Sequence, residues 1–367
     1  MTDQRQKIFF VIPNMNAGGA ERVALTLLQH LDRRDFSYTL VVLDDGNGAF
    51  IDRVPDDVRL ITLGKKRVRA ALFALIRLVW KERPALIFSN LSHLNLMLAM
   101  LRFMFPRDCA LVVRESSTIS KNILLFRASR VWLYLYKLFY GNVDVMICES
   151  VDMKDDLTRT CSFPVSKCTI IPNPVDILWI NEQASLNISE RQQKLTLVAC
   201  GQLYYTKGFD LLLDALALAK LVDFELWIIG EGALRTALVQ KAIALGLKEN
   251  VKFLGFQKNP YPFFNQADAL VLSSRHEGMP NVVFEAVSLG TPIIATPASG
   301  GLVSFLNTID GCIVCSDITA QSLANALREF AATDTKIRIS DGAINYLAAP
   351  IISRQHEAEF RKVLACD

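Results

Sequence analysis

A chain of 367 residues exceeds what one hydrophobic core usually sustains, so two domains are expected, and 51% apolar content excludes a disordered chain. The net charge of +3 hides an uneven spread: residues 64–140 carry fourteen Lys and Arg against three acids, leaving 26 bases against 34 acids elsewhere. No nucleic-acid-binding signature accompanies that block, which points to an anionic lipid surface or a phospholipid-like acceptor and away from nucleic acid.

In chain order, residues 7–12 read as a buried strand, 14–19 as a Gly-containing loop and 20–31 as an amphipathic helix. Short apolar strands follow at 38–43, 86–89, 110–113 and 143–148, with helical patterns between most of them. The stretches 68–80 and 123–139 are apolar on most faces with bases interspersed, which suits either a core helix with snorkelling bases or a helix lying in a membrane interface. Two prolines in residues 170–176 stiffen a connection, and the pattern restarts with a strand at 195–203 and a helix at 209–221. Strands at 224–230, 251–254, 269–272 and 293–296 complete it. Strands alternating with helices build parallel βαβ units, so the fold class is α/β: two Rossmann-like, doubly wound parallel-sheet domains facing across a cleft. The expected boundaries are 1–175 and 176–351, with a last helix at 352–367 packing back on the first domain.

Several features carry no chemistry. The eight Cys lack framework spacing and indicate a reducing compartment. Cys312 and Cys315 form a CxxC with no second pair and no nearby His, in an apolar run that reads as a strand, so they are read as structural thiols. Residues 8–13 are too short for a signal-peptide core, and no stretch reaches the ~18 apolar residues of a spanning helix. A cytoplasmic protein is expected. His30 and His356 fall in helices and are read as structural.

The most informative segment is residues 273–285. Glu277 is expected in a loop and Glu285 about a turn or more into a helix, with Pro280 just inside the helix start. Helix-start amides near Met279, Asn281 and Val282, with Gly278 allowing close approach, would form an anion site. Carboxylates on either side of a phosphate site suit a nucleotide-sugar, which bears hydroxyls at both ends. Gly18 and Gly19, after the first strand, allow a ligand to approach the backbone. Lys207, in the Gly201–Gly208 loop that plays the matching part in the second half, would neutralise a diphosphate. His93 falls past a strand end on the first domain, where it would donate a hydrogen bond to a sugar hydroxyl. His276 abuts Glu277.

Six motifs then stand in order: Gly18-Gly19-Ala20-Glu21, residues 171–176, 201–208, 226–232 and 253–255, and the Glu277–Glu285 block running on to Gly290-Thr291-Pro292. With them, the chain resembles the GT-B retaining glycosyltransferases of family 4 over nearly its full length, in particular those of bacterial lipid-linked glycan synthesis. The resemblance implies that the second domain binds the donor, probed by Glu285 on the ribose and Glu277 on the transferred sugar. Residues 278–282, Gln202 and Lys207 would meet the sugar and diphosphate, with Gly18 and Gly19 on the first domain's side. It also implies catalytic roles for Glu277, Lys207 and His93, acceptor contacts from His93 and Arg114, and no metal or other cofactor. The partners implied are a donor that is UDP-linked, a lipid-linked or glycan acceptor, and the cytoplasmic face of the inner membrane. Transfer would take a front-face route in which the departing phosphate helps deprotonate the acceptor.

Two positions depart from the family pattern. Gln202 stands where Arg is usual and makes no bidentate ionic contact with phosphate, so either Lys207 carries more or Arg275 or another base substitutes. Arg114 lies in a segment where many relatives place a His. A GT-B nucleotide-sugar epimerase and a non-catalytic GT-B partner subunit remain alternatives.

Overall fold

The computed structural model describes residues 5–16, 18–44, 48–65, 68–123, 129–186, 194–333 and 338–365. Ala17 of the expected Gly-containing loop, residues 124–128 of the expected 123–139 helix and the end of the last helix lie outside them. The chain forms two compact units, one of Met1–Pro174 with Tyr346–Asp367, the other of Val175–Asn345. The second crossing thus falls six residues before the expected one.

In the first unit seven strands form one sheet. They are β1 (Gln6–Ile12), β2 (Phe36–Val42), β3 (Arg59–Thr62), β4 (Leu86–Ser89), β5 (Ala110–Glu115), β6 (Val145–Cys148) and β7 (Cys168–Ile170). Their order is β3-β2-β1-β4-β5-β6-β7, and the pairs are parallel, with Phe10 beside both Leu40 and Phe88. Burial on both faces explains why these strands read as apolar runs without alternation. The helices are α1 (Gly19–His30), α2 (Val68–Glu82), α3 (Ser92–Leu101), α4 (Ile119–Ile123), α5 (Ser129–Phe139) and α6 (Val151–Cys161). Phe9, Val11, Ile87 and Val113 face a core built with α2, α3, α5 and α6, while Phe10, Phe88 and Val112 face α1.

The second unit opens with α7 (Ile177–Ala184) and continues with β8 (Leu195–Cys200), α8 (Phe209–Ala219), β9 (Phe224–Ile229), α9 (Arg235–Ala244) and β10 (Val251–Gly255). Then come α10 (Tyr261–Gln266), β11 (Ala269–Leu272), α11 (Asn281–Ser288), β12 (Ile293–Ala295), α12 (Gly300–Leu306), β13 (Ile313–Val314) and α13 (Ala320–Ala332). Its six-stranded sheet runs β10-β9-β8-β11-β12-β13, again parallel. The expected strand 195–203 stops at Cys200; the Gly201 amide donates to the Ile229 carbonyl at the end of β9, and the chain then turns toward Tyr205–Lys207. The last helix, α14 (Ala349–Leu364), returns to the first unit and buries Ile352 and Phe360 over Phe10 and Phe88.

Strand order reverses between β1 and β4 in one sheet and between β8 and β11 in the other. Such reversal points leave a crevice beyond the carboxyl ends of the strands, where ligands of open α/β sheets bind. The Gly18–Gly19 loop and His93 follow β1 and β4; Lys207 and Glu277 follow β8 and β11.

Candidate donor site and acceptor-side residues

Beyond β8 the chain makes a single 3-10 turn, Tyr205–Lys207, closed by Gly208 at φ 63. The turn aims Lys207 at the loop after β11, and Lys207 Nζ lies 2.7 and 3.0 Å from the two carboxylate oxygens of Glu277. Ser274 Oγ donates to the same carboxylate at 2.5 Å. The Glu277 side chain is nearly buried while Lys207 stays partly open to solvent, so a diphosphate could still reach the ammonium. The two residues are seventy positions apart and meet only because β8 and β11 are neighbours.

Arg275 does not substitute for the missing Arg at Gln202. Both of its terminal nitrogens are engaged by Asp210 at 2.7 Å, Nη1 also donates to the Tyr205 carbonyl at 2.8 Å, and the guanidinium stacks on the Tyr205 ring 4.0 Å from its centroid. The pair holds the Asp210 carboxyl below its ordinary range and raises the Arg275 pKa through the same hydrogen bonds. Arg275 therefore clamps the turn that carries Lys207. Gln202 itself is exposed on that loop.

After Glu277, Gly278 is buried and its carbonyl accepts from Ser299 Oγ at 2.8 Å. Pro280 is the N-cap of α11, one residue outside the helix and not just inside it as expected, with φ −71 and ψ 116. Its missing N–H costs nothing there, and its carbonyl accepts from the Val283 amide at 3.0 Å. Pro280 offers no side-chain cap, and the positive end of the helix dipole lies beside Met279, Asn281 and Val282. Glu285, in the second turn of α11, is 5% exposed.

In the first unit Gly18 is the N-cap of α1 and Gly19 its first residue. The Glu21 carboxylate folds back over Gly18, where a Cβ would overlap it, and burial raises its pKa. His93 is the second residue of α3 and is exposed; desolvation by surrounding protein lowers its pKa and favours the neutral imidazole. The acceptor role expected for Arg114 is corrected. Its side chain points into the core beneath α14, is 0% exposed and pairs with buried Glu149, Nη2 to Oε1 at 2.9 Å. The next residue, Glu115, points to the opposite face and accepts from Ser92 Oγ at 2.5 Å, Asn95 Nδ2 at 3.2 Å and the Tyr140 hydroxyl.

Asp210 was not expected around the sites, and Ser274 and Glu21, though within the quoted motifs, were given no role of their own. Asp210, an acid in the first turn of α8, carried a signal that reads equally well as ordinary helix-dipole compensation. Cys312 and Cys315 flank β13, and burial pushes both thiols up to about 11, which leaves little thiolate at neutral pH.

Two parallel α/β units with these loops at their reversal points give the chain the GT-B architecture. The matching solved structures include the Anabaena protein HepE in complex with UDP and glucose, at a TM-score of 0.79 and 22% identity over 98% of this chain and 100% of that one. Sucrose-phosphate synthase from Thermosynechococcus elongatus matches at a TM-score of 0.81 and 18% identity, covering 99% of this chain and 100% of that one. The model for Glycosyltransferase Family 4 matches residues 17–177 and that for Glycosyl transferases group 1 matches residues 194–333. The chain belongs to this glycosyltransferase family. Among curated relatives, an N-acetylgalactosamine-N,N'-diacetylbacillosaminyl-diphospho-undecaprenol 4-alpha-N-acetylgalactosaminyltransferase of Campylobacter jejuni is 28% identical over 81% of this chain and 82% of its own length. The amylovoran biosynthesis glycosyltransferase AmsD of Erwinia amylovora is 26% identical over 82% of each.

Proposed function

We propose that the protein transfers a hexose or N-acetylhexosamine, with retention, from a UDP-sugar to a lipid-linked glycan during cell-surface polysaccharide assembly, working on the cytoplasmic face of the inner membrane. The observation that carries this reading is the Lys207–Glu277 pair, set beside the N-terminus of α11 at the reversal point of the second sheet. Relatives support the donor and acceptor classes: two from Campylobacter jejuni are named as N-acetylgalactosaminyltransferases of undecaprenol-diphosphate-linked glycans.

As the bond from the anomeric carbon to the diphosphate breaks, negative charge gathers on the leaving phosphate. Lys207 and the α11 amides then gain more interaction than they had in the ground state, which lowers the barrier. Glu277 positions the sugar through its hydroxyls and Glu285 holds the ribose. The acceptor hydroxyl attacks from the face the diphosphate leaves and passes its proton to the departing phosphate oxygen. His93, kept neutral, hydrogen-bonds the sugar during this step. Fixed positive charge takes the place of a metal in this reading.

The test is a panel of nucleotide-sugars read by released nucleoside diphosphate, with a short-chain polyprenyl-diphosphate glycan as acceptor. Turnover should require a UDP-sugar and fall sharply in Glu277→Ala. An unchanged rate in that variant would refute the reading and favour a non-catalytic subunit; interconversion of UDP-sugars without an acceptor would favour an epimerase.

A further inference from the structure

Three elements covering one face of the first sheet expose large apolar side chains. Helix α2 buries Ala71, Leu75 and Val79 and turns Phe73, Arg77, Trp80 and Lys81 outward. Beside it, a 3-10 turn at Arg102–Met104 presents Phe103, and Trp80 Nε1 donates to the Met104 carbonyl at 2.8 Å, which fixes the turn against α2. On α5 only Tyr136 is buried, while Arg130, Val131, Tyr134, Lys137 and Leu138 are exposed at helical spacing along one stripe. Phe73 and Phe103 are each 80% exposed. Single exposed apolar residues are ordinary, but several within one helical layer mark an interaction surface.

Bases outnumber acids in the stretch that builds these elements, although neighbouring α6 also exposes Asp152 and Asp155. Among the described residues from 68 to 140, the acids are Glu82, Asp108 and Glu115. Glu82 is engaged by Lys7 and Arg59, and Glu115 is buried, which leaves Asp108 as the exposed acid against Arg77, Lys81, Arg130 and Lys137. Arg83 stacks on the Trp80 ring at 4.3 Å, joining a cation to an aromatic of the kind enriched at membrane interfaces. Protein interfaces are depleted in Lys. Bases that alternate with Phe, Trp, Tyr and Leu along a helix suit a bilayer surface, where the stems lie in the interface and the heads reach lipid phosphates.

We infer that α2, the Arg102–Met104 turn and α5 form a docking face that inserts its aromatic and aliphatic side chains into the headgroup region of an anionic bilayer. This deepens the reading of a lipid-linked acceptor, yet uses none of the donor residues. The loop that carries His93 leads into α3, which lies on the same sheet face, so docking would hold the acceptor-side residues near the membrane surface.

The experiment is vesicle flotation of the whole protein at low salt. The parent should float with phosphatidylglycerol–phosphatidylethanolamine vesicles and stay behind with phosphatidylcholine. The pair Phe73→Ser with Phe103→Ser should lower partitioning at least about tenfold. The pair Arg130→Glu with Lys137→Glu should do so by about tenfold at low salt and by little in high salt. Both pairs should keep the parent's melting temperature and its turnover on a water-soluble acceptor. Failure of the parent to float overturns the inference, as does flotation that neither pair changes. A dimer seen by light scattering and abolished by the same pairs, without flotation, overturns it in favour of a second copy of this chain. Glu277→Ala should float like the parent; its turnover bears on the donor reading alone, so the two readings fail separately.

Discussion

Replacing Gly208 by Ala tests whether backbone geometry holds the donor loop. At φ 63 the residue occupies the left-handed region, where an Ala costs about 1 kcal/mol more than Gly. A Cβ there would also overlap the Ser273 carbonyl oxygen and stand 3.0 Å from its carbon. Neither group is a movable side-chain end, and Ser273 Oγ already donates to the Lys207 carbonyl at 3.0 Å. The loop must retreat by roughly 1 Å, at a cost of about 1–3 kcal/mol. The sum is about 2–4 kcal/mol, or a fall in Tm of roughly 5–15 °C for a unit of this size. Gly246 supplies the control: φ is 73, but nothing lies within 4 Å of its Cβ position. Gly246→Ala should therefore lose only about 1 kcal/mol, roughly 2–4 °C. The retreat also draws Glu277 away from Lys207, so turnover of Gly208→Ala should fall by more than about tenfold at a temperature where both variants are folded. Thermal unfolding by circular dichroism and nucleoside diphosphate release measure the two effects. Equal melting temperatures for the two Ala variants, or full turnover in Gly208→Ala, would refute the reasoning.

Other consequences are checked in the same assays. Lys207→Ala should lower kcat by about 10²–10³-fold, and adding Glu277→Gln should cost much less than it does alone, because the two act as a unit. Arg275→Lys keeps the charge but loses the forked contact with Asp210, so a several-fold drop in kcat/KM is expected with little change in Tm; an unchanged kcat/KM would remove the clamp role. His356, on the inward side of α14, is fully buried, and desolvation lowers its pKa from 6.5 to about 3. The unfolded chain then binds a proton that the folded one does not between those values, so stability falls as pH drops from about 6.5 toward about 3. In His356→Gln the urea-unfolding free energy should lose up to about 1.4 kcal/mol per pH unit less steeply across that window. Chelation by EDTA should leave turnover unchanged; loss restored by magnesium would reject the metal-free reading.

Most strands were legible in the sequence because a parallel sheet buries both faces and leaves apolar runs such as residues 8–12. The edge strand β3 was missed for the opposite reason, since Arg59, Leu60 and Thr62 are exposed and carry no such signal. The other edge strand of that sheet, three-residue β7, was missed because it is too short to show a period, whereas β13 was read from the apolar run around Cys312 and Cys315. The Glu277–Glu285 block was readable because a Pro and a helix start are local features. Partners fixed by topology were not. Nothing near Arg114 announces that Glu149, thirty-five positions on, lies beside it; the segment showed only a base at a strand end, which reads as a ligand contact. Arg275 misled similarly, because Asp210 sits sixty-five positions earlier.

The return of α14 has a consequence for how the protein is made. The first sheet begins at residue 6, but one of its faces waits for Ile352 and Phe360 of the last helix. The unit that starts first is thus completed last, after residues 175–345 have all been synthesised and can close their own core. A ribosome that stalls shortly before Ala349 would release a chain with a finished second unit and an open apolar face over Phe10 and Phe88, the kind of surface that chaperones and proteases recognise.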